Sequence, residues 1–233
     1  MKTPIFNKQN HTYEYEGIAL QSVSSFKSSF SSFDKDFIAS FVAKKQNKTV
    51  EEVLAEWKEK ADIAIVRGRK IHDFAEKYLN DNTVTTEDIE EQVVLDCFNN
   101  DINNKYEIVY FEQPICSLTL KLAGTPDLIV KNKETDKFTI IDYKTNKDLF
   151  KATRSKLLAP FNDFLDTPYN TYAIQLSCYR LMLEEEGMDV EETIIIHFKP
   201  DNTYSILPKV IDFREEIKKY ILNNSPDSWM LNH

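Results

Sequence analysis

Between residues 107 and 144 apolar side chains come in short runs broken by polar, charged or proline residues, which predicts strands at about 107–116, 118–123, 126–131 and 138–144. Upstream the period lengthens. Ile71, Phe74, Ala75, Tyr78 and Leu79 follow the i, i+3, i+4, i+7, i+8 spacing of a helix with one buried stripe. Before it, Thr49 and Glu52 have the spacing of a capping box for a separate helix through Glu59, and another helix is expected near 87–106. The first sixty residues therefore read as a helical lead-in. After the strands, a helix from about 169 to 186 is closed by Gly187, then come strands at 193–199 and 204–208, a helix over 213–222 and a loose tail from Ser225. Strands flanked by helices in this way imply an α/β sandwich with a mixed central sheet, in one domain over residues 1–233.

The pair of strands at 126–131 and 138–144 carries chemistry at its ends. Lys131 to Lys137 is a polar turn, so the hairpin brings Asp127 beside Asp142, antiparallel partners lying about 5 Å apart. Lys144 follows Asp142 at a spacing of two and shares its face. Two carboxylates on one face repel unless a cation sits between them, and all-oxygen ligation suits magnesium or manganese. A lysine beside that cation can position water or steady charge on a phosphate. The set fits metal-assisted hydrolysis of a phosphodiester.

Composition narrows the setting. The 233 residues are 42% hydrophobic with only four glycines, enough to bury a substantial core. Neither an internal repeat, an apolar run of membrane length nor a signal peptide is evident, so a cytoplasmic protein is expected. Cys97, Cys116 and Cys178 are dispersed and odd in number, which suits a reducing compartment and cannot build a four-cysteine iron–sulfur cluster.

The net charge of −9 is unusual for a partner of DNA, but its distribution is uneven. Lys144, Lys147, Lys151, Arg154 and Lys156 stand against Asp148 alone, and Arg67, Arg69 and Lys70 precede the helix with the buried stripe. The acidic excess falls in 51–59, 87–91 and 184–192. Phe150, Phe161, Phe164 and Tyr169 near the basic stretch are either stacking surfaces for bases or core residues.

Gly124-Thr125-Pro126-Asp127, fourteen intervening residues, then Asp142-Tyr143-Lys144-Thr145 resemble the PD-(D/E)XK nuclease superfamily in its RecB-like exonuclease branch. Gly68-Arg69-Lys70-Ile71-His72-Asp73-Phe74-Ala75-Glu76 is similar to that branch's Gly-x-x-x-His-x-x-x-Glu helix, and Gln175 with Tyr179 matches its Gln-x-x-x-Tyr helix. The three elements occur in the family's order over roughly residues 68 to 180. His11-Thr12-Tyr13, Gly17 and Ser22-Val23-Ser24 also resemble the lead-in of small phage and mitochondrial members.

The resemblance implies a restriction-endonuclease-like fold and a Mg2+- or Mn2+-dependent deoxyribonuclease, an exonuclease of replication, recombination or repair, phage-encoded members acting in the host cytoplasm. It implies that His72, Asp127, Asp142 and the Tyr143 carbonyl hold metal, that Lys144 orients the attacking water, and that Glu76 supports the site. Gln175 and Tyr179 would hold the lysine or the DNA strand, and Glu112 matches a position that is often acidic. Arg67, Arg69, Lys70, Thr125, Thr145, Lys147, Lys151, Arg154 and Lys156 would contact DNA, single-stranded or with ends. A recombinase, a single-strand-binding protein or a helicase would be a further partner, the chain having no phosphate-binding glycine loop of its own. An endonuclease of the same chemistry and a non-catalytic DNA-binding accessory protein of recombination are the alternatives.

Overall fold

The computed structural model describes residues 1–7, 12–151 and 155–224. His11, Arg154 and the tail from Ser225 lie outside the described residues. Strands β1 (Ile5–Asn7), β2 (Thr12–Tyr15) and β3 (Ile18–Ser22) precede helices α1 (Val23–Ser28), α2 (Lys35–Gln46) and α3 (Val50–Asn80). Helix α4 (Ile89–Cys97) continues through a π-helical segment (Phe98–Ile102) and the short α5 (Asn103–Lys105) into β4 (Tyr106–Phe111). Strands β5 (Ile115–Ser117), β6 (Leu122–Gly124), β7 (Leu128–Asn132) and β8 (Phe138–Lys144) follow, then α6 (Pro168–Glu185), β9 (Val190–Phe198), β10 (Tyr204–Leu207) and α7 (Arg214–Asn224).

The central sheet has the order β10-β9-β8-β7-β4, antiparallel except for the parallel pair β8 and β9. Strand alternation sorts its side chains into two cores. Leu128, Val130, Ile141, Tyr143, Ile194 and Ile196 face α3 and α4, packing on Ile71, Phe74, Val94 and Phe98. Ile129, Ile140 and Ile195 face α6, packing with Ile174, Cys178 and Phe213. The same two-residue period separates the chemistry at the end of β8: Asp142 and Lys144 share parity with Ile140 and face α6, whereas the Tyr143 ring faces α3. The mixed α/β class is as expected, and helices cover both faces.

Three expectations are corrected. The helical lead-in begins with strands instead: β2 and β3 turn at Glu16 and Gly17, both at positive φ (50° and 80°), and form a second five-stranded sheet in the order β1-β2-β3-β6-β5. The strand expected over 107–116 is divided between the sheets. Glu112 adopts φ 44°, a left-handed conformation that turns the chain out of β4, and Pro114 has no N–H to continue a ladder. The helices expected on either side of residue 60 are one 31-residue helix. Its capping box is present, Glu52 N–H donating to Thr49 Oγ1 at 3.1 Å and Thr49 N–H to Glu52 Oε2 at 2.8 Å. Gly68 lies inside this helix, and a Cβ there would stand 3.2 Å from Thr145 Oγ1. Its bareness lets α3 pass close to the end of β8.

Candidate active site

Register places the two aspartates together. Leu128 pairs with Ile141, so Asp127 is carried to the level of Asp142, and Asp127 Oδ2 accepts a 2.6 Å hydrogen bond from the Tyr143 backbone N–H. Asp127 Oδ1 lies 3.5 Å from His72 Nδ1 on α3, and Glu112 Oε1 lies 3.7 Å from the same nitrogen. The turn at Glu112 is tied to the Asp127 strand, its N–H donating to Asp127 O at 3.0 Å. One ligand atom from each of His72, Glu112 and Asp127 falls within 4.8 Å of the others. An imidazole and two carboxylates form an N/O donor set without thiolate, which suits a divalent ion.

Charge in this cluster is frustrated without a cation. Burial, then the proximity of Asp142, pushes the Asp127 carboxyl up to about 7, with His72 and Lys144 opposing. Burial works against a charged His72, yet Asp127 and Glu112 outweigh it and raise the imidazole to about 9. A proton on His72 holds the two carboxylates where a divalent ion is suited to sit.

Asp142 is fully buried and pairs with the Lys144 ammonium, itself only 13% exposed. Burial lowers the Lys144 pKa, but Asp142 and Asp127 outweigh it and raise it overall. The α6 face of the site completes this arrangement. Gln175 Nε2 donates to Asp142 Oδ1 at 3.4 Å and to Tyr179 Oη at 3.3 Å, and Tyr179 Oη donates to Thr125 O at 3.2 Å. The helix thus spans from the β8 carboxylate to the backbone two residues before Asp127.

The residues anticipated from sequence separate into groups. His72, Asp127, Asp142, Tyr143, Lys144, Gln175 and Tyr179 converge, with Glu112 inside the donor cluster rather than at its margin. Glu76 is exposed one turn beyond His72 and lies outside the donor cluster. Arg67 is committed internally, donating to Thr145 O, Phe198 O, Lys199 O and Glu90. Lys70 is held by Asp88 and Glu90. Thr125 accepts or donates at 3.2 Å with Tyr13 Oη, while Arg69, Lys147, Lys151 and Lys156 are exposed. Of the aromatic residues, Phe161 is core, and Phe150 is exposed against Tyr169 at 4.9 Å.

Lys27 and Tyr172 belong to the site without having been anticipated. Lys27 on α1 donates to Gln175 Oε1, and its Nζ lies 4.4 Å from the Tyr172 ring centroid, with Lys144 Nζ at 4.5 Å from the same centroid. Tyr172 was detectable: it precedes Gln175 by three and Tyr179 by seven, which places all three on one helix face. Lys27 was not, since nothing in a lone lysine of a serine-rich segment marks it.

This fold and site define a nuclease. Residues 44–221 match the PD-(D/E)XK nuclease superfamily, and the chain belongs to that superfamily. Membership implies a metal-dependent nuclease with DNA as substrate. No curated protein gives a significant match. Among solved structures, that of SSO0001 is similar at 13% identity over 91% of this chain and 75% of that chain, with a TM-score of 0.34. No helix among the described residues is long and apolar enough to cross a membrane.

Proposed function

We propose that the chain is a Mg2+- or Mn2+-dependent DNA exonuclease of the RecB-like branch, acting on single strands or ends in replication, recombination or repair. The observation that carries this reading is the convergence of Asp127, Asp142 and Lys144 at the ends of β7 and β8 with His72 and Glu112. Asp127, His72 and Glu112, with Asp142 and the Tyr143 carbonyl beside them, would hold the divalent ion, which supplies Lewis acidity to the phosphate and acidifies a bound water.

The chain's own residues supply the rest. Lys144 Nζ, fixed between Asp142 and the Tyr172 ring, orients the attacking water and steadies charge on the phosphate. Gln175 keeps Asp142 from turning away, and Tyr179 holds the backbone leading to Asp127. Water adds to phosphorus, the P–O3′ bond breaks, and the water's proton passes to the 3′ oxygen, leaving a 5′-phosphate. Exposed Lys147, Lys151 and Arg69 would follow the DNA backbone.

A time course on end-labelled linear single- and double-stranded DNA, with circular single-stranded DNA alongside and Mn2+ or EDTA present, tests this. Metal-dependent shortening of linear DNA with intact circles is expected. Cleavage of circles would make the protein an endonuclease, and no metal-dependent cleavage of any substrate would leave a DNA-binding role.

A further inference from the structure

We propose that Lys27 is a further substrate-contacting cation of this reaction, taking a non-bridging oxygen of the scissile phosphate beside Lys144; the inference rests on the nuclease reading above. Lys27 is half-buried, and among the described residues no carboxylate lies within ion-pair distance of its Nζ. Its hydrogen-bond partner is the neutral Gln175 amide, which uses one of three ammonium donors. The Tyr172 ring has Lys27 and Lys144 at nearly equal distances, 4.4 and 4.5 Å from its centroid, so both cations lie against one ring. Lys144 has Asp142 as its counter-ion, whereas a partly buried ammonium without an ion-pair partner of its own is costly unless an anion joins it. Burial, then the nearness of Lys144, lowers the Lys27 pKa to about 8, with Asp142 and Asp127 opposing.

Gln175 links Lys27 to the centre of the site. Its carbonyl oxygen faces Lys27 and its amide nitrogen faces Asp142, so the amide joins Lys27 to the carboxylate that pairs with Lys144. In this proposal a phosphate presented to Lys144 is shared with Lys27, both ammonium groups lying against the Tyr172 ring. The second sheet delivers this lysine. Ser22 at the end of β3 pairs in parallel with Ala123 of β6, caps α1 by accepting from Ser25 N–H at 3.0 Å, and sets Lys27 just over one turn into the helix, with Val23 and Phe26 buried. A lysine held so firmly by an accessory sheet, with donors to spare, is placed for a ligand rather than for solvent.

The test compares full-length wild type, Lys27→Met and Lys27→Arg on a linear end-labelled single-stranded oligonucleotide in Mn2+, with urea midpoints measured for each. Lys27→Met is expected to lower kcat by about 100-fold while KM changes by less than about threefold, because the contact strengthens as charge develops on the phosphate. Lys27→Arg is expected to regain about tenfold of the loss. Lys27→Gln replaces Lys27→Met if the latter fails to fold. A kcat within about twofold of wild type in the neutral variant overturns the proposal, as does a Lys27→Arg enzyme no faster than Lys27→Met. An inactive wild type would instead refute the nuclease reading, and this inference with it.

Discussion

Gly124 and Tyr179 are in direct contact: a Cβ on Gly124 would stand 2.7 Å from Tyr179 Cε1, closer than packed atoms tolerate. Tyr179 is 2% exposed and has no room to retreat, so the glycine that opens the Gly-Thr-Pro-Asp motif is a space requirement of a helix fifty residues away. Gly124→Ala should cost about 1–3 kcal/mol by overpacking, and should slow cleavage by displacing Tyr179 from Thr125 O. Tyr179→Phe keeps the ring and loses only the hydroxyl, so it should cost about 1 kcal/mol. Urea midpoints and cleavage rates of both variants check this; a Gly124→Ala protein as stable and active as wild type would show that the contact relaxes freely.

The Asp142–Lys144 pair separates stability from chemistry. Lys144→Ala leaves a fully buried carboxylate without its counter-ion, so beyond abolishing cleavage it should destabilise the metal-free protein by about 3–5 kcal/mol. The double variant Asp142→Asn with Lys144→Met removes both charges and should recover most of that stability with no recovery of activity. A double variant as unstable as Lys144→Ala would mean that the loss arises from packing.

Basic residues near the site should divide into two behaviours. Arg67→Ala removes the guanidinium hydrogen bonds to the Thr145, Phe198 and Lys199 carbonyls and to Glu90, and should cost about 2 kcal/mol of stability. It should leave the salt dependence of DNA binding unchanged. Lys147→Ala and Lys151→Ala, both at exposed positions, should keep stability and each reduce the slope of log K against log salt by about 0.7–0.9. Binding titrations on a labelled oligonucleotide at several salt concentrations distinguish these cases.

The sequence made the β7–β8 hairpin legible because strand period, turn composition and the positions of Asp127, Asp142 and Lys144 all agree on one register. His72 and Gln175 were legible through resemblance, in the Gly-x-x-x-His-x-x-x-Glu and Gln-x-x-x-Tyr helices. The rest was hidden or only partly visible, Glu112 being marked only by resemblance as a position that is often acidic. Glu112 enters the donor cluster through a left-handed backbone turn that composition does not announce. Arg67 looked like a DNA contact because charge is visible in sequence, whereas the carbonyls that bind it come from residues 78 to 132 positions away. The second sheet escaped notice because its strands are only three to five residues long and pair at long range, β3 with β6. Lys27 depends on that sheet and was hidden with it.

The metal-free protein should lose stability as pH rises. His72 binds its proton more tightly when folded, at about 9 against an ordinary 6.5, so its contribution is complete below 6.5 and disappears as pH climbs through about 9. Asp127 acts with the same sign at lower pH: held up to about 7 from 3.8, it resists an ionisation that the unfolded chain makes freely. The His72 displacement corresponds to about 3 kcal/mol as an upper bound, since solvent reaches part of the ring. Lys27, lowered to about 8 from 10.5, contributes an opposite slope above that value, so the difference between wild type and His72→Gln is the informative curve. In EDTA that difference should shrink between pH 6.5 and 9. With Mn2+ the sign reverses, because the ligands must shed those protons to bind metal, and stabilisation by the ion should grow over the same interval. Urea midpoints from pH 5 to 9.5 in EDTA and in Mn2+ decide the matter; a difference curve that is flat in EDTA would mean His72 carries no extra proton in the folded chain.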